Sequence, residues 1–277
     1  MMFSRLLLLC IALFLIALFI GFGSGFPTDV LREKLVREIS RQSGLVVSSE
    51  SLGLGFPAKI TFDLTVDPAH PQIAPLVFPQ IQIRPVWTSL FSSARAAELQ
   101  GQFAEGAIDA QFSADDSLQL EIQGMQLAPL QKTSNPYRFE GVLRGELDGK
   151  QMSQSGKADA VFSAEVNDLE VFGLEQLALP EKVALGQLSV QGRLQGQRLN
   201  LERVVLEGDF VGMSGSGTIQ LGTTPQRTRL NLQVTATPGS TFPESLKPLI
   251  ELSGVKPKAD GSYQFRVAGT LAKPVLR

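Results

Sequence analysis

The sequence predicts an all-β, mainly antiparallel fold: a membrane-spanning helix and a short helix, then one elongated, curved, repeat-like β-sheet domain. Three observations lead to this fold class. An unbroken apolar run, Leu6–Ile20, lies near the start of the chain. After residue 45, apolar and polar residues alternate with the period of two that half-buried strands show. The 26 glycines and 16 prolines are scattered along the chain, which suits a fold with many turns.

Residues 1–27 are predicted to form a transmembrane anchor. Weakly apolar residues extend the run Leu6–Ile20 to Phe26, which reaches the roughly 20 residues that cross a hydrocarbon core. A cleaved signal peptide is the alternative, because Gly23-Ser24-Gly25 offers a small-residue cleavage site. The length of the apolar stretch favours an uncleaved anchor. In both cases we expect the domain that follows, residues 28–277, to be exported.

Composition narrows the classes of protein that this chain can belong to. The net charge is −2 and the sequence has no basic cluster, which argues against nucleic acid as a partner. Cys10 is the only cysteine, so an exported domain has no disulfide and must rely on strand pairing and apolar burial. The leucines before Cys10 do not resemble a lipoprotein cleavage site. No low-complexity linker divides the chain after residue 45, which predicts a single domain.

The first element after the anchor is predicted to be a short amphipathic helix over Thr28–Ser43. Thr28 or Asp29 can cap its start and Gly44 can end it. Leu31, Leu35 and Ile39 fall on one stripe of this helix. We expect that stripe to lie on the first strands or on lipid.

The clearest predicted strand is Lys59–Val66, in which apolar and polar residues alternate without a break. Further strands are predicted at Ser117–Gln123, Arg229–Ala236, Ser262–Ala268, Ile81–Ile83, Gly106–Phe112, Arg138–Leu147, Gly156–Val166, Val183–Leu194, Arg198–Leu206 and Thr218–Leu221. In Arg198–Leu206 the alternation slips between Leu201 and Val204, which predicts a β-bulge.

Three segments interrupt the alternation. Asp67–Pro79 contains four prolines and is predicted to be an irregular loop or edge. Pro85–Leu99 is predicted to be a short helix with Pro85 in its first turn. Pro243–Leu252 is predicted to be another short helix, limited by Pro248.

Two segments of the chain repeat each other. Residues 106–114 and 156–164 are identical at six of nine positions. Shorter versions of the same glycine-led strand start at Gly186 and Gly217. This quasi-repeat indicates an elongated sheet that grows by adding hairpin units.

No arrangement of residues points to covalent chemistry or to a cofactor. His70 is the only histidine and has no second histidine or cysteine to share a metal ion. Asp115 and Asp116 are adjacent and are best explained as a solvated turn, and Glu202, Glu207 and Asp209 define no site. The run Gly212–Gly217 lacks the lysine and the helix of a phosphate-binding loop. We therefore expect no enzyme, no cofactor and no metal site.

The layout of the chain resembles GspN, a family of type II secretion system proteins, in its AsmA-like form. The resemblance rests on the N-terminal anchor with its short helix, the strand pair Leu45–Leu54 and Lys59–Val66, the Pro-x-Trp segment at Pro85–Phe91, Ser214–Leu221, and Gly269–Arg277. It covers nearly the whole chain. It implies a single-pass protein of the bacterial inner membrane with its C-terminal domain in the periplasm. It also implies an accessory role in assembling the secretion system, with other secretion proteins as partners and no catalytic residues.

The alternative function is lipid binding or transfer of the AsmA type along the apolar face of the sheet. Four aromatic residues would line that groove: Phe62, Phe112, Phe162 and Phe265. In most soluble β proteins, two sheets close their apolar faces on each other, and sequence alone favours that closed core. An open, curved sheet would instead leave the face available to acyl chains or to a partner's strand.

Overall fold

The computed structural model of the chain describes residues 28–43, 45–55, 59–68, 73–91, 95–154, 156–175, 179–222, 224, 226–246 and 255–276. The predicted anchor, residues 1–27 with Cys10, lies outside these ranges, as do Gly44 and His70. Within the ranges given above, no helix is long and apolar enough to cross a bilayer.

The described part of the chain contains one α-helix and fifteen strands. The helix, α1, spans Thr28–Ser43, as predicted. The strands are β1 (Val46–Ser48), β2 (Leu52–Gly55), β3 (Lys59–Asp67), β4 (Leu76–Pro85), β5 (Ala96–Phe103), β6 (Gly106–Ser113), β7 (Ser117–Gln126), β8 (Arg138–Lys150), β9 (Asp159–Phe172), β10 (Lys182–Gln195), β11 (Arg198–Glu207), β12 (Val211–Gln220), β13 (Arg229–Pro238), β14 (Tyr263–Thr270) and β15 (Lys273–Leu276).

All fifteen strands belong to one antiparallel sheet with the simplest connectivity available. From β3 to β15, each strand pairs with the strand that precedes it and the strand that follows it in sequence. The short strands β1 and β2 both pair with β3. The all-β antiparallel class is therefore confirmed, and an elongated open sheet fits this connectivity. Among the described residues all strands continue this one sheet, so two separate facing sheets, the closed core that the sequence alone favours, are not found there.

The predicted strand Leu45–Leu54 is two short strands, β1 and β2. Asp63, in the middle of β3, causes the break between them. Its carboxylate accepts hydrogen bonds from the backbone N–H of Glu50 at 2.9 Å and of Ser51 at 2.6 Å, and from the Ser51 hydroxyl at 2.5 Å. A side chain thus satisfies backbone donors that a continuous ladder would otherwise use.

Two prolines of β4, Pro79 inside the strand and Pro85 at its end, also led to wrong boundaries. Leu76–Pro79 belongs to β4, although it was predicted as loop, and Pro79 lies where the register between β3 and β4 shifts. A bulge tolerates proline because one ladder hydrogen bond is already missing there. The helix predicted over Pro85–Leu99 is one 3-10 turn, Trp87–Phe91, and β5 begins at Ala96.

The remaining predicted strands are present, most of them longer than predicted. The bulge in β11 is confirmed, since the pairing with β12 shifts between Leu201 and Val204. The helix predicted at Pro243–Leu252 is a 3-10 turn at Glu244–Leu246, and residues 247–252 lie outside the described ranges. Strand β15 was not predicted.

Replacing Asp63 by asparagine is expected to lower the free energy of unfolding by about 1 kcal/mol at pH 7, because the hydrogen bonds to this half-buried carboxylate lose their charge. Burial alone would raise the pKa of Asp63, but the hydrogen bonds from Ser51 and Glu50 outweigh it and hold the pKa below its ordinary value of 3.8. The stabilisation is therefore complete above pH 3.8 and is lost as the pH falls through the lowered pKa of the folded state. Urea unfolding of both proteins at pH 7 and at pH 2 measures this, and an equal difference at both pH values would contradict it.

Candidate functional site

One side of the sheet is apolar from end to end, and we call it the apolar face. Its central row takes one residue from every strand between β3 and β14, each directly opposite the next in register. The row is Phe62, Ile81, Gly101, Ile108, Ile122, Gly145, Ala164, Val190, Val204, Gly215, Val234 and Phe265. No member of this row carries a polar side chain. With about 4.8 Å between neighbouring strands, it runs for about 50 Å across the sheet.

The rows two and four residues to one side of the central row are also apolar. The second row is Ile83, Leu99, Ala110, Leu120, Leu147, Phe162, Gly192, Leu201, Gly217, Leu232 and Val267. The third row is Ala97, Phe112, Leu118, Gly149, Ala160, Leu194, Leu199, Ile219, Leu230 and Gly269. Because side chains alternate strictly along a strand, strands with the same phase of alternation add up to a continuous surface.

In the described residues, no second sheet packs on the apolar face, although segments between strands cover part of it: Leu127 packs against a buried cluster of Val166, Leu169 and Leu206. Neighbouring strands make the dominant contacts in the fold, and α1 lies against β1 and β2. Several large side chains of the face are only half-buried, among them Leu120, Leu147, Val190 and Leu232, whereas the small Ala110 and Ala160 and the end residues Phe62 and Ile81 are buried. In a two-layer protein, residues in the middle of such a face are usually buried completely.

The four predicted groove residues all belong to this face. Phe62 and Phe265 lie at opposite ends of the central row, Phe162 is in the second row and Phe112 in the third. Their accessibility differs: Phe62 is 4% exposed and Phe112 is 45% exposed, while Phe162 and Phe265 are half-buried. Phe112 and Phe162 are therefore the best reporters of whatever contacts the middle of the face.

Glycines opposite large side chains make room for rings on the face. A Cβ atom on Gly192 would lie 2.8 Å from the ring carbons Cε1 and Cζ of Phe162. The ring of Phe162 therefore lies flat across the neighbouring strand at Gly192. The same strand repeat occurs in β6, where Ala110 and Phe112 match Ala160 and Phe162 in sequence and in the face they occupy.

The opposite side of the sheet is polar, and we call it the polar face. Its central row is Gln82, Gln100, Asp109, Glu121, Glu146, Ser163, Gln191 and Arg203. Asp109, Glu121 and Glu146 are directly opposite one another on β6, β7 and β8. A cleft of about 760 Å³ borders β4 to β11, and its lining includes these carboxylates and the ion pair between Arg84 and Glu98, at 2.8 Å.

Neutralising the middle carboxylate of that acidic row is expected to stabilise the sheet. Like charges directly opposite each other on neighbouring strands are unfavourable, so Glu121→Gln is expected to raise the free energy of unfolding by about 0.2–1 kcal/mol at low salt. The gain is expected to shrink in 1 M salt, which screens the repulsion. Urea unfolding at both salt concentrations measures the effect. Glu181→Gln, on an exposed residue outside this row, is the control and is expected to change little; a destabilised Glu121→Gln protein would contradict the argument.

The acidic turn and the glycine-rich run that the sequence singled out have structural roles. Asp115 accepts hydrogen bonds from the backbone and hydroxyl of Ser117, and Asp116 accepts them from Ser153, so the predicted turn is confirmed. Gly212–Gly217 lies inside β12. The described residues contain no group of three or more histidine, cysteine, aspartate or glutamate side chains placed to hold a metal ion.

An ion pair between Arg193 and Asp159 connects β10 to β9 on the polar face. The Arg193 guanidinium donates two parallel hydrogen bonds to Asp159, from Nε at 2.8 Å and from Nη2 at 2.6 Å. These hydrogen bonds hold the pKa of Asp159 below its ordinary value. The pair joins β9 to β10 on the side of the sheet opposite to Phe162.

From the sequence, only four residues were predicted to line a groove on the apolar face, although every strand from β3 to β14 contributes to that face. Leu120, Leu147 and Leu232, for example, were not singled out. The alternation within each predicted strand shows which of its residues share one side. These leucines could therefore be assigned to the apolar face once all strands were known to join one sheet.

Comparison of the chain with models of protein families, with curated proteins and with solved structures finds no match.

Proposed function

We propose that this protein binds the acyl chains of lipids along its apolar face. The observation that carries the proposal is the central row, which crosses from β3 to β14 without one polar side chain. An exposed apolar patch of more than a few hundred square ångströms is rare on soluble proteins and marks a binding surface. A hydrocarbon chain can contact such a surface along its whole length without leaving a polar group unpaired.

The form of the surface favours hydrocarbon over a protein strand on this face. A strand carries backbone N–H and C=O groups on both of its edges, and those groups would find no hydrogen-bond partner among apolar side chains. Acyl chains have no such groups. The row of about 50 Å is also longer than the roughly 30 Å hydrocarbon core of a bilayer, so it offers a path for lipid beyond the membrane surface.

In this proposal the protein is AsmA-like and is held in the bacterial inner membrane by residues 1–27, with the sheet in the periplasm. Helix α1 begins at Thr28, directly after the anchor, and lies against β1 and β2. This puts the β1 end of the sheet next to the bilayer, from which lipid enters the face. Binding needs no catalytic residue, cofactor or metal ion.

The test is photo-crosslinking in living cells with the full-length chain. A photoreactive amino acid replaces Phe112 or Phe162 on the apolar face. The matched controls are Gln111 and Val161, the preceding residues of the same strands, whose side chains lie on the polar face. Mass spectrometry then identifies the adducts.

Lipid adducts at Phe112 and Phe162, with none at Gln111 and Val161, are the expected result. Adducts confined to other residues of the same chain would mean that the face is covered from within, and the proposal would fail. Equal lipid labelling on both faces would mean nonspecific contact with membrane and would also count against it.

A second function, as an accessory component of a type II secretion system, is favoured by the edge of the sheet at β15. β15 pairs with β14 only from Val267 to Thr270, which leaves Tyr263–Arg266 without a partner strand from β15. Val275 and Leu276 on β15 are 46% and 65% exposed. An exposed apolar edge of this kind can accept a strand from a partner protein through backbone hydrogen bonds.

Crosslinking at Val275 tests this second function. Adducts to a secretion-system protein are expected if a partner strand adds to the edge, and the substitution Val275→Lys is expected to abolish co-purification of that partner from a native membrane extract. If no secretion component co-purifies with the unmodified protein, the secretion role is wrong, while the lipid-binding proposal is unaffected.

A further inference from the structure

One margin of the sheet, where strands β10, β12 and β14 end and β11, β13 and β15 begin, is basic. The sequence of its strand ends and turns, residues 195–198, 220–229 and 270–273, contains no aspartate or glutamate. It contains four cations, which we call the basic margin: Arg198, Arg227, Arg229 and Lys273. All four are exposed, and none forms an ion pair with another described residue. Their charge is therefore available to an anion from outside the chain.

The opposite margin of the same strands is acidic. Exposed carboxylates lie in its connections and at its strand ends: Glu175, Glu181, Glu207, Asp209, Glu244 and Asp260. Two of the cations there, Arg138 and Lys182, already form ion pairs with Glu140 and Glu170. The two margins thus differ in the sign of the charge that they attract.

The basic margin directly continues the apolar face. Arg198 precedes Leu199 and Arg229 precedes Leu230, and both leucines belong to the third row of that face. Neighbouring residues of a strand are only about 3.4 Å apart along it. A hydrocarbon chain on the third row can therefore end at these cations. On the acidic side, in contrast, Leu127 packs over part of the face.

An open cleft lies at the basic margin, between the β8–β9 connection and the turn from β10 to β11. Its charged lining includes Lys157 and Arg198, and its one carboxylate, Asp159, is paired with Arg193 at 2.6 Å. Amide side chains complete the polar lining: Gln195, Gln197 and Gln220. Cations and amide N–H donors without a free carboxylate suit the oxygens of a phosphate group.

We infer that the bound lipids are anionic phospholipids, whose phosphate groups contact the basic margin while their acyl chains lie on the apolar face. The inference rests on the proposed function and adds to it the class of lipid and its orientation. The phosphate must leave the apolar face, since no side chain of the three rows could pair with it. The basic margin attracts it and the acidic margin repels it. A zwitterionic headgroup is less favoured, because its ammonium group would be repelled by the same cations.

The experiment uses the full-length chain, purified in a nonionic detergent. The protein is mixed with equal amounts of phosphatidylglycerol and phosphatidylethanolamine that carry the same diazirine-bearing acyl chain, so the two lipids differ only in the headgroup. After irradiation, peptide mapping locates the adducts and mass spectrometry identifies each lipid. On the apolar face, phosphatidylglycerol adducts are expected to outnumber phosphatidylethanolamine adducts at least about fivefold at low salt. This preference is expected to shrink in 1 M salt.

Two variants that lose the same number of charges test the margin itself. Replacing the four cations of the basic margin by glutamine is expected to reduce the preference to about twofold or less, while both lipids still label the face. The matched control replaces exposed cations elsewhere and is expected to keep the preference: Arg203→Gln and Arg266→Gln on the polar face, with Lys256→Gln and Lys258→Gln near the opposite margin. Circular dichroism checks that both variants are folded.

The outcomes distinguish this inference from the proposed function. Equal labelling of the unmodified protein by the two lipids would overturn the headgroup inference and leave lipid binding in place. An equal loss of preference in both variants would mean that net charge, and not the basic margin, selects the lipid, and would also overturn it. Absence of adducts from both lipids on the apolar face would overturn the inference and the proposed function together.

Discussion

A full-length chain carrying Phe162→Asp is expected to lose at least nine-tenths of the lipid that co-purifies with the unmodified protein. Phe162 lies opposite Leu147 and Gly192, with apolar rows on both sides. An unpaired carboxylate there would have to be desolvated by a bound hydrocarbon chain, at a cost of several kcal/mol. Each 1.4 kcal/mol lowers an affinity about tenfold. Quantitative lipid mass spectrometry of the protein, extracted in a mild detergent, measures the loss.

The control places the same charge on the other side of the same strand. Val161 is 55% exposed and lies opposite Arg193 on the polar face. Val161→Asp is therefore expected to retain its lipid. Phe112→Asp guards against a folding defect, because Phe112 is 45% exposed and its replacement removes little packing. If folded Phe162→Asp and Phe112→Asp proteins both keep their lipid, the apolar face is not the binding surface.

Replacing Gly186 by alanine is expected to destabilise the sheet by more than about 3 kcal/mol. Gly186 lies in β10 at a shift of register, with φ of +81°. A Cβ atom there would lie 2.1 Å from the carbonyl oxygen of Glu207, and Gly208 approaches the carbonyl of Leu185 just as closely. The backbones of β10 and of the turn after β11 thus meet where neither tolerates a side chain.

Gly156→Ala is the matched substitution for this experiment. Gly156 has no atom of the fold within 4 Å of an added Cβ, so its replacement is expected to change the free energy of unfolding by less than about 0.5 kcal/mol. Urea unfolding followed by circular dichroism compares the two proteins. Equal stability of Gly186→Ala and Gly156→Ala would contradict the close approach of β10 to Gly208.

Alternation of apolar and polar residues was enough to predict most strands and the side of the sheet on which the candidate residues lie. It placed Phe112 and Phe162 on one face because the segments around them repeat the same alternation. The helix Thr28–Ser43 was also predicted, since its stripe has the helical period and a capping residue precedes it.

Alternation could not predict how many layers the sheet forms. A strand with one apolar side has the same sequence pattern whether that side faces a second sheet, a ligand or solvent. The sequence therefore did not favour the open face. β5 was missed because its apolar positions hold small residues such as Ala97 and Gly101, which have weak strand propensity.

The order of strands has a consequence for how the protein is made. Every hairpin from β3 onward can close as soon as its second strand is present, because no strand waits for a partner from a distant part of the chain. Contacts between near neighbours in sequence favour rapid folding. A chain that emerges gradually, from a ribosome or through a narrow translocation channel, can therefore lengthen its sheet one strand at a time. We expect its N-terminal portion to be structured while the C-terminal portion is still being delivered.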